Sequence, residues 1–173
     1  MKEMEWKKQK WVVLAIIVGI IIFDQVSKYL AQEILMGLPG QSVEFIPGFF
    51  SFTYAENTGA AFSIFSNATW ALAIVSAVLA VIMVVVLYKA RNFKSWLMKL
   101  SLSFIIGGAI GNLIDRVFRG FVVDMLEFQF NFAVFNVADS FVCIGAVMLG
   151  VFVIWFWEKD KKKEKEKNET RTD

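Results

Sequence analysis

The chain has 173 residues, 57% of them hydrophobic, with a mean hydropathy of +0.58 and a formal net charge of +2. That is enough for one domain and too apolar for an ordinary soluble one. One cysteine, Cys143, and no histidine exclude an internal disulfide, the usual zinc sites and any imidazole-based triad. Carboxylates are the main titratable groups left for acid–base work near neutral pH.

In chain order, Lys2, Lys7, Lys8 and Lys10 lead into the uninterrupted apolar run from Trp11 to Phe23, and a helical pattern continues through Asp24, Gln25, Ser27, Lys28 and Tyr29. A basic start and a short apolar run can mark a cleaved signal peptide. Here no small-residue cleavage site follows, and Asp24 and Lys28 extend the same helix, so the segment reads as a first membrane span over 11–32. Asp24 and Lys28 are four apart, acid first, and face the same side.

Residues 36–66 change character. Pro39-Gly40 and Pro47-Gly48 mark turns. Ser42–Ile46 and Phe49–Ala55 read as strands, with Phe50, Phe52 and Tyr54 alternating against Ser51, Thr53 and Ala55. A small sheet with an aromatic face suits a membrane–water boundary.

Trp70–Tyr88 is a charge-free second span over 70–88, ~29 Å long as a helix. The third span covers 98–116 and carries Gly107 and Gly111, a pairing of small residues that lets membrane helices approach closely. Residues 117–135 are predicted as a Phe-rich loop whose first part, Phe121, Val122, Met125 and Leu126, fits a short amphipathic helix. The fourth span covers 137–157. The charged tail, 158–173, is expected to be disordered and basic. The fold class is therefore a single all-α membrane domain: a bundle of four transmembrane helices with a small extracytoplasmic β-sheet and a short amphipathic loop helix.

Lys and Arg set the orientation. Four lie in residues 1–10, none in 29–88, four in 89–99, two in 115–134 and seven in the tail. The positive-inside rule then puts both termini and the 89–99 loop in the cytoplasm. Counting at 1.5 Å per residue, Asp24 lies ~20 Å above the inner boundary, Asp115 ~24 Å and Asp139 ~27 Å. Asp124 and Asn57 belong to the outer segments. Acids from several segments thus collect near one surface, where buried polar groups are costly and point to a site.

Two carboxylates at a low-dielectric boundary can share one proton. The ionised one deprotonates water and the protonated one polarises a peptide carbonyl. Asp124 and Asp139 are the candidates. Asp139 stands three residues after Asn136 at a helix start, where the helix N-terminus favours its ionised form. Asp124 lies among apolar residues, which favours its neutral form. Structural readings compete: Asp139 can serve as part of a helix cap, Asp124 can open an amphipathic helix, and Asp115-Arg116 can be interfacial groups. A small transporter or ion relay using these acids is the alternative function. It would need polar groups through the inner half of the spans, where only Ser76, Ser101, Ser103 and Cys143 occur.

Five blocks, in order on four spans, resemble the bacterial lipoprotein signal peptidase (signal peptidase II) family. They are Asp24-Gln25-Val26-Ser27-Lys28, Asn57-Thr58-Gly59-Ala60-Ala61-Phe62, the run from Gly107 through Gly111, Asn112 and Asp115 to Arg116, Val122-Val123-Asp124, and Phe135-Asn136-Val137-Ala138-Asp139-Ser140. The one departure is the lack of a proline in Phe132-Ala133-Val134, which touches loop shape only. The resemblance implies an intramembrane aspartyl endopeptidase. It would cut signal peptides from prolipoproteins before a diacylglyceryl-modified cysteine. Asp124 and Asp139 would be catalytic, with no cofactor and no metal. Asn57, Gly59, Asn112, Arg116 and Asn136 would position the substrate, and Asp24, Lys28 and Asp115 would brace the site. The sheet would cradle the substrate and the Phe121–Phe132 loop would act as a lid. The implied partners are lipid-modified prolipoproteins, membrane lipid and inhibitors of the globomycin type, with no nucleic acid and a monomeric state. The implied location is the bacterial inner membrane, with the active site near its outer face.

Overall fold

The computed structural model describes residues 2–59, 69–92, 95–130 and 132–169. Four long helices, α1 (Lys2–Leu35), α2 (Thr69–Lys89), α3 (Trp96–Phe118) and α4 (Val137–Glu169), are joined by the strands β1 (Ser42–Ile46), β2 (Phe50–Asn57) and β3 (Val122–Phe128). Each helix contains an apolar stretch long enough to cross a membrane: Gln9–Leu35, Thr69–Lys89, Trp96–Phe118 and Val137–Phe156. The outward side chains are those a lipid solvent selects. Trp11, Ile22, Phe23, Ile74, Val81 and Val147 are all exposed.

Helix α3 is the axis of the bundle. Of the residues in its most apolar stretch 67% are buried, against 17% in each of the other three, and it packs on α1, α2 and α4. Lipid tails are as apolar as leucine, so close backbone approach rather than hydrophobic burial must hold such helices together. Glycine supplies it. A Cβ at Gly108 would stand 2.4 Å from the backbone oxygen of Ala138 on α4, and one at Gly111 would stand 2.6 Å from Asp24 Oδ2 on α1. The small-residue pair expected at Gly107 and Gly111 therefore faces α1, with Ile20 against Gly107. Ser95 caps α3, its hydroxyl oxygen accepting from Met98 N–H at 3.4 Å.

The sheet has strand order β1-β2-β3, all antiparallel. Ile46-Pro47-Gly48-Phe49 closes the β1–β2 hairpin. Pro47 supplies the fixed φ, Gly48 takes φ +69°, and Phe49 N–H donates to Ile46 O at 3.0 Å, as a type II turn requires. A second Pro-Gly turn, with Gly40 at φ +68° and Gln41 N–H on Leu38 O at 2.9 Å, links α1 to β1. The sheet rests on the end of α1, where Ala31, Leu35, Tyr54, Val123 and Met125 form a buried cluster. A second cluster, including Val13, Leu87, Met98, Leu102, Ile106 and Phe152, fills the opposite end of the bundle.

Three expectations are corrected here. The amphipathic loop helix is absent: Val122–Phe128 is β3, paired to β2 through Ala55↔Asp124 and Asn57↔Val122. Its residues Val122 to Met125 are buried on both faces, so the alternation that marks a half-exposed strand is missing and the apolar spacing imitates a helix. For the same reason Asp124 does not sit on a loop; it is a strand residue, 2% exposed. The tail expected to be disordered instead continues α4 to Glu169. Its residues are mostly Lys and Glu, which are good helix formers, and they follow a helix already nucleated by packing. Ala60-Ala61-Phe62, part of one motif block, lies outside the described residues.

A candidate carboxylate–asparagine site

The sheet end of the bundle gathers the candidate residues through a chain of hydrogen bonds. Asp124, on β3, receives two donors: Asn57 Nδ2 at 2.9 Å on Oδ2 and Asn136 Nδ2 at 2.6 Å on Oδ1. Asp139, in the first turn of α4, receives Asn112 Nδ2 at 2.7 Å on Oδ1 and the backbone N–H of Asn136 at 3.3 Å on Oδ2. Asn136 is the residue before α4, and its Oδ1 accepts from Asp139 N–H at 2.9 Å. These reciprocal bonds form a capping box with aspartate in the place of glutamate. The capping reading of Asp139 is met, and the same bonds fix its carboxylate beside Asn112 and Asn136. Asn136, fully buried, joins the two acids, with its amide on one and its backbone on the other.

The asparagines share one logic. An amide offers a donor end and an acceptor end, and in each case the acceptor end is pinned. Asn57 Oδ1 accepts from Gly59 N–H at 3.1 Å, Asn136 Oδ1 from Asp139 N–H, and Asn112 Oδ1 from Lys28 Nζ at 2.9 Å. Each NH₂ is left pointing at an aspartate.

Beneath this layer lies a buried ionic cluster. Lys28 reaches Asp24 Oδ2 and Asp115 Oδ2, both at 2.9 Å, and all three side chains are fully buried. Arg119 stands 3.8 Å from Asp115 Oδ1, bringing a second positive charge. Asp24 Oδ1 accepts from Ala138 N–H at 2.9 Å and Asp115 Oδ2 from Val123 N–H at 3.3 Å. Each acid of this cluster therefore holds the backbone beside one of the upper pair: Ala138 precedes Asp139, and Val123 precedes Asp124.

Every expected site residue lies in or against this network. Arg116 lies against it, donating to Ser76 Oγ at 3.4 Å and to Asn112 O at 3.5 Å. Sequence reasoning missed Gln25, whose Nε2 donates to Asp24 Oδ2, Gly111 O and Asp115 Oδ1 at 3.1, 3.2 and 3.2 Å. The signal available was its place between Asp24 and Lys28 in a segment otherwise too polar for a span end.

Burial is the main influence on Asp124. It pushes the carboxyl up to about 6, and the charge of Asp139 adds to the rise. The hydrogen bonds from Asn57 and Asn136 and the charge of Lys28 pull the other way. Such a group holds a proton more readily than an exposed aspartate and can donate it near neutral pH. Among the described residues no cluster of three His, Cys, Asp or Glu side chains is arranged to hold a metal ion.

Four membrane-length helices around a buried aspartate–asparagine site define a multi-pass membrane protein with the means for acid–base chemistry. The chain belongs to the signal peptidase II family, a family of peptidases: the model described as Signal peptidase (SPase) II matches residues 16–156. It is similar to the lipoprotein signal peptidase of Caldanaerobacter subterraneus subsp. tengcongensis, 43% identical over 141 residues that cover 82% of this chain and 94% of that one. It is also similar to the lipoprotein signal peptidase of Enterococcus faecalis, 40% identical over 146 residues, covering 83% and 86%. A solved bacterial membrane enzyme, determined by the in meso method at 2.3 Å, superposes with a TM-score of 0.72 at 31% identity, covering 83% of this chain and 87% of that one.

Proposed function

We propose that this peptidase is an aspartyl endopeptidase that removes signal peptides from prolipoproteins at a diacylglyceryl-modified cysteine, with Asp124 and Asp139 as the reacting pair. The observation that carries the reading is Asn136, whose side chain and backbone bond both acids at once. Asp139, ionised, takes a proton from water as the oxygen attacks the scissile carbonyl carbon. Asp124, protonated, donates to the carbonyl oxygen as it gains charge. The tetrahedral intermediate then breaks its C–N bond and a proton passes to the leaving nitrogen, so that one peptide and one water give one acid and one amine. The burial that raises Asp124 supports its holding the shared proton. Asn57, Gly59, Asn112, Arg116 and Asn136 position the substrate backbone, and Asp24, Lys28 and Asp115 brace them.

The protein acts as a monomer in the bacterial inner membrane, with both termini cytoplasmic and the site near the outer face. Substrate acyl chains stay in the bilayer while the cysteine reaches the acids, which avoids a cost of ~0.8 kcal/mol per CH₂ extracted. A cyclic peptide of the globomycin type competes for the site. The relay alternative loses its inner half: Ser101 and Ser103 are buried and return their hydroxyls to Met98 O and Lys99 O of their own helix.

The test is cleavage of two purified precursors that differ only in lipidation of the cysteine. The lipidated form should be cut before the cysteine and the unmodified form left whole. Equal cleavage of both would overturn the substrate assignment.

A further inference from the structure

An asparagine amide turned over by 180° exchanges its donor for its acceptor, so each asparagine aimed at the acid pair needs something to hold it. Asn57 and Asn136 are held by backbone N–H groups two and three residues further along, Gly59 and Asp139. Their own loops suffice. Asn112 lies well inside α3, where the backbone N–H groups are already committed to the helix. Its carbonyl oxygen is held from another helix, by Lys28 Nζ of α1 at 2.9 Å.

Lys28 is fully buried and points its ammonium at three oxygens, Asp24 Oδ2, Asp115 Oδ2 and Asn112 Oδ1, each at 2.9 Å. An ammonium has three donors and no acceptor; an ionised carboxylate has acceptors and no donor. With Lys28 on one side of Asn112 and Asp139 on the other, only one orientation of the amide satisfies both. A lysine that merely balanced Asp24 and Asp115 would need two of these contacts. The third selects which end of Asn112 meets Asp139.

We propose that Lys28 is a positioning residue for the reaction: its ammonium fixes the Asn112 amide so that Nδ2 donates to Asp139 Oδ1, 2.7 Å away. The inference rests on Asp124 and Asp139 being the reacting pair. The same cluster reaches Asp139 by a second route, since Asp24 holds the N–H of Ala138, its neighbour in the chain, at 2.9 Å.

The test pairs Lys28→Met with Asp24→Asn in the full-length protein. One positive and one negative charge leave together, Asp115 keeps Arg119 at 3.8 Å as its cation, and the amide oxygen introduced at position 24 can still accept from Ala138 N–H. The Asn112 carbonyl, however, loses its donor. The variant should keep its circular dichroism spectrum and detergent melting temperature, with KM for the lipidated precursor within about twofold. Its kcat should fall about 100-fold, the scale of one misdirected donor at a reacting centre. Wild-type kcat in the folded double variant would overturn the proposal. Asp124→Asn and Asp139→Asn, assayed beside it, separate the two possible failures. If either keeps normal turnover, the pair assignment falls. If both are inactive and the double variant is normal, the role of Lys28 falls alone. Should the double variant not fold, ¹⁵N-asparagine labelling of the wild type decides. The Asn112 side-chain amide should exchange with solvent about tenfold or more slowly than a free asparagine; exchange at the free rate would overturn the proposal.

Discussion

Asn57 is the residue whose substitution most directly reads the state of Asp124. Its hydrogen bond stabilises the Asp124 carboxylate and so opposes the burial that raises the group to about 6. In the proposed mechanism the pair works with one proton, so kcat/KM for the free enzyme should fall as pH rises through about 6 and Asp124 loses it. Asn57→Ala removes a stabiliser of the charged form. It should lower turnover and move this alkaline limb to higher pH, while the fold persists. A pH–rate profile of the two proteins checks this; a limb that stays in place or moves down would show that Asn57 does not act on Asp124. At this scale the sequence was informative because the acids and amides stand in short blocks of fixed spacing. Asn136 and Asp139 are three apart, the spacing of a cap, and Asp24 and Lys28 are four apart, the spacing of one helix face. What spacing could not reveal was which end of each amide faces which partner, since that depends on Lys28 and Asn112 meeting across two helices.

At the scale of elements, the α3–α4 contact sets where Asp139 stands. A side chain at Gly108 would run into the backbone of Ala138, one residue before Asp139. Gly108→Leu should therefore push α4 away, destabilise the protein by about 1–3 kcal/mol and depress cleavage beyond that loss of folded protein. Detergent melting and activity per folded molecule measure the two effects separately; a variant with normal activity per folded molecule would show that this contact does not place Asp139. The strand β3 offers a second check. Val123 N–H is directed at Asp115 and is buried, so its exchange with solvent should be among the slowest outside the helices. A fast-exchanging Val123 would favour the lid that the family resemblance implies for Phe121–Phe132. The four spans were legible because each is a long run of apolar residues bounded by charge. The third strand was not, because burial on both faces removed the period-two pattern. The helical tail was hidden because a Lys- and Glu-rich stretch reads equally as a disordered segment and as an extension of a packed helix.

For the whole molecule, the arrangement is an ionic foundation with an acid pair above it. Asp24, Lys28 and Asp115 are fully buried and tie α1 to α3, and through Ala138 and Val123 they tie both to α4 and β3. Breaking such a buried pair by removing one partner costs about 3–5 kcal/mol, so Lys28→Met alone should melt well below the charge-paired double variant. The charge distribution along the chain, the depth of each acid and the four spans were enough to anticipate that these groups meet at one end. The central claim is that Asp124 and Asp139 together activate water. The measurement that tests it most directly is turnover of a lipidated precursor by purified Asp124→Asn and Asp139→Asn proteins that retain the wild-type circular dichroism spectrum. Each should lose on the order of 10³-fold in kcat or more, the scale expected when a general acid or base is removed. A folded variant of either kind that cleaves the precursor at the wild-type rate would contradict it.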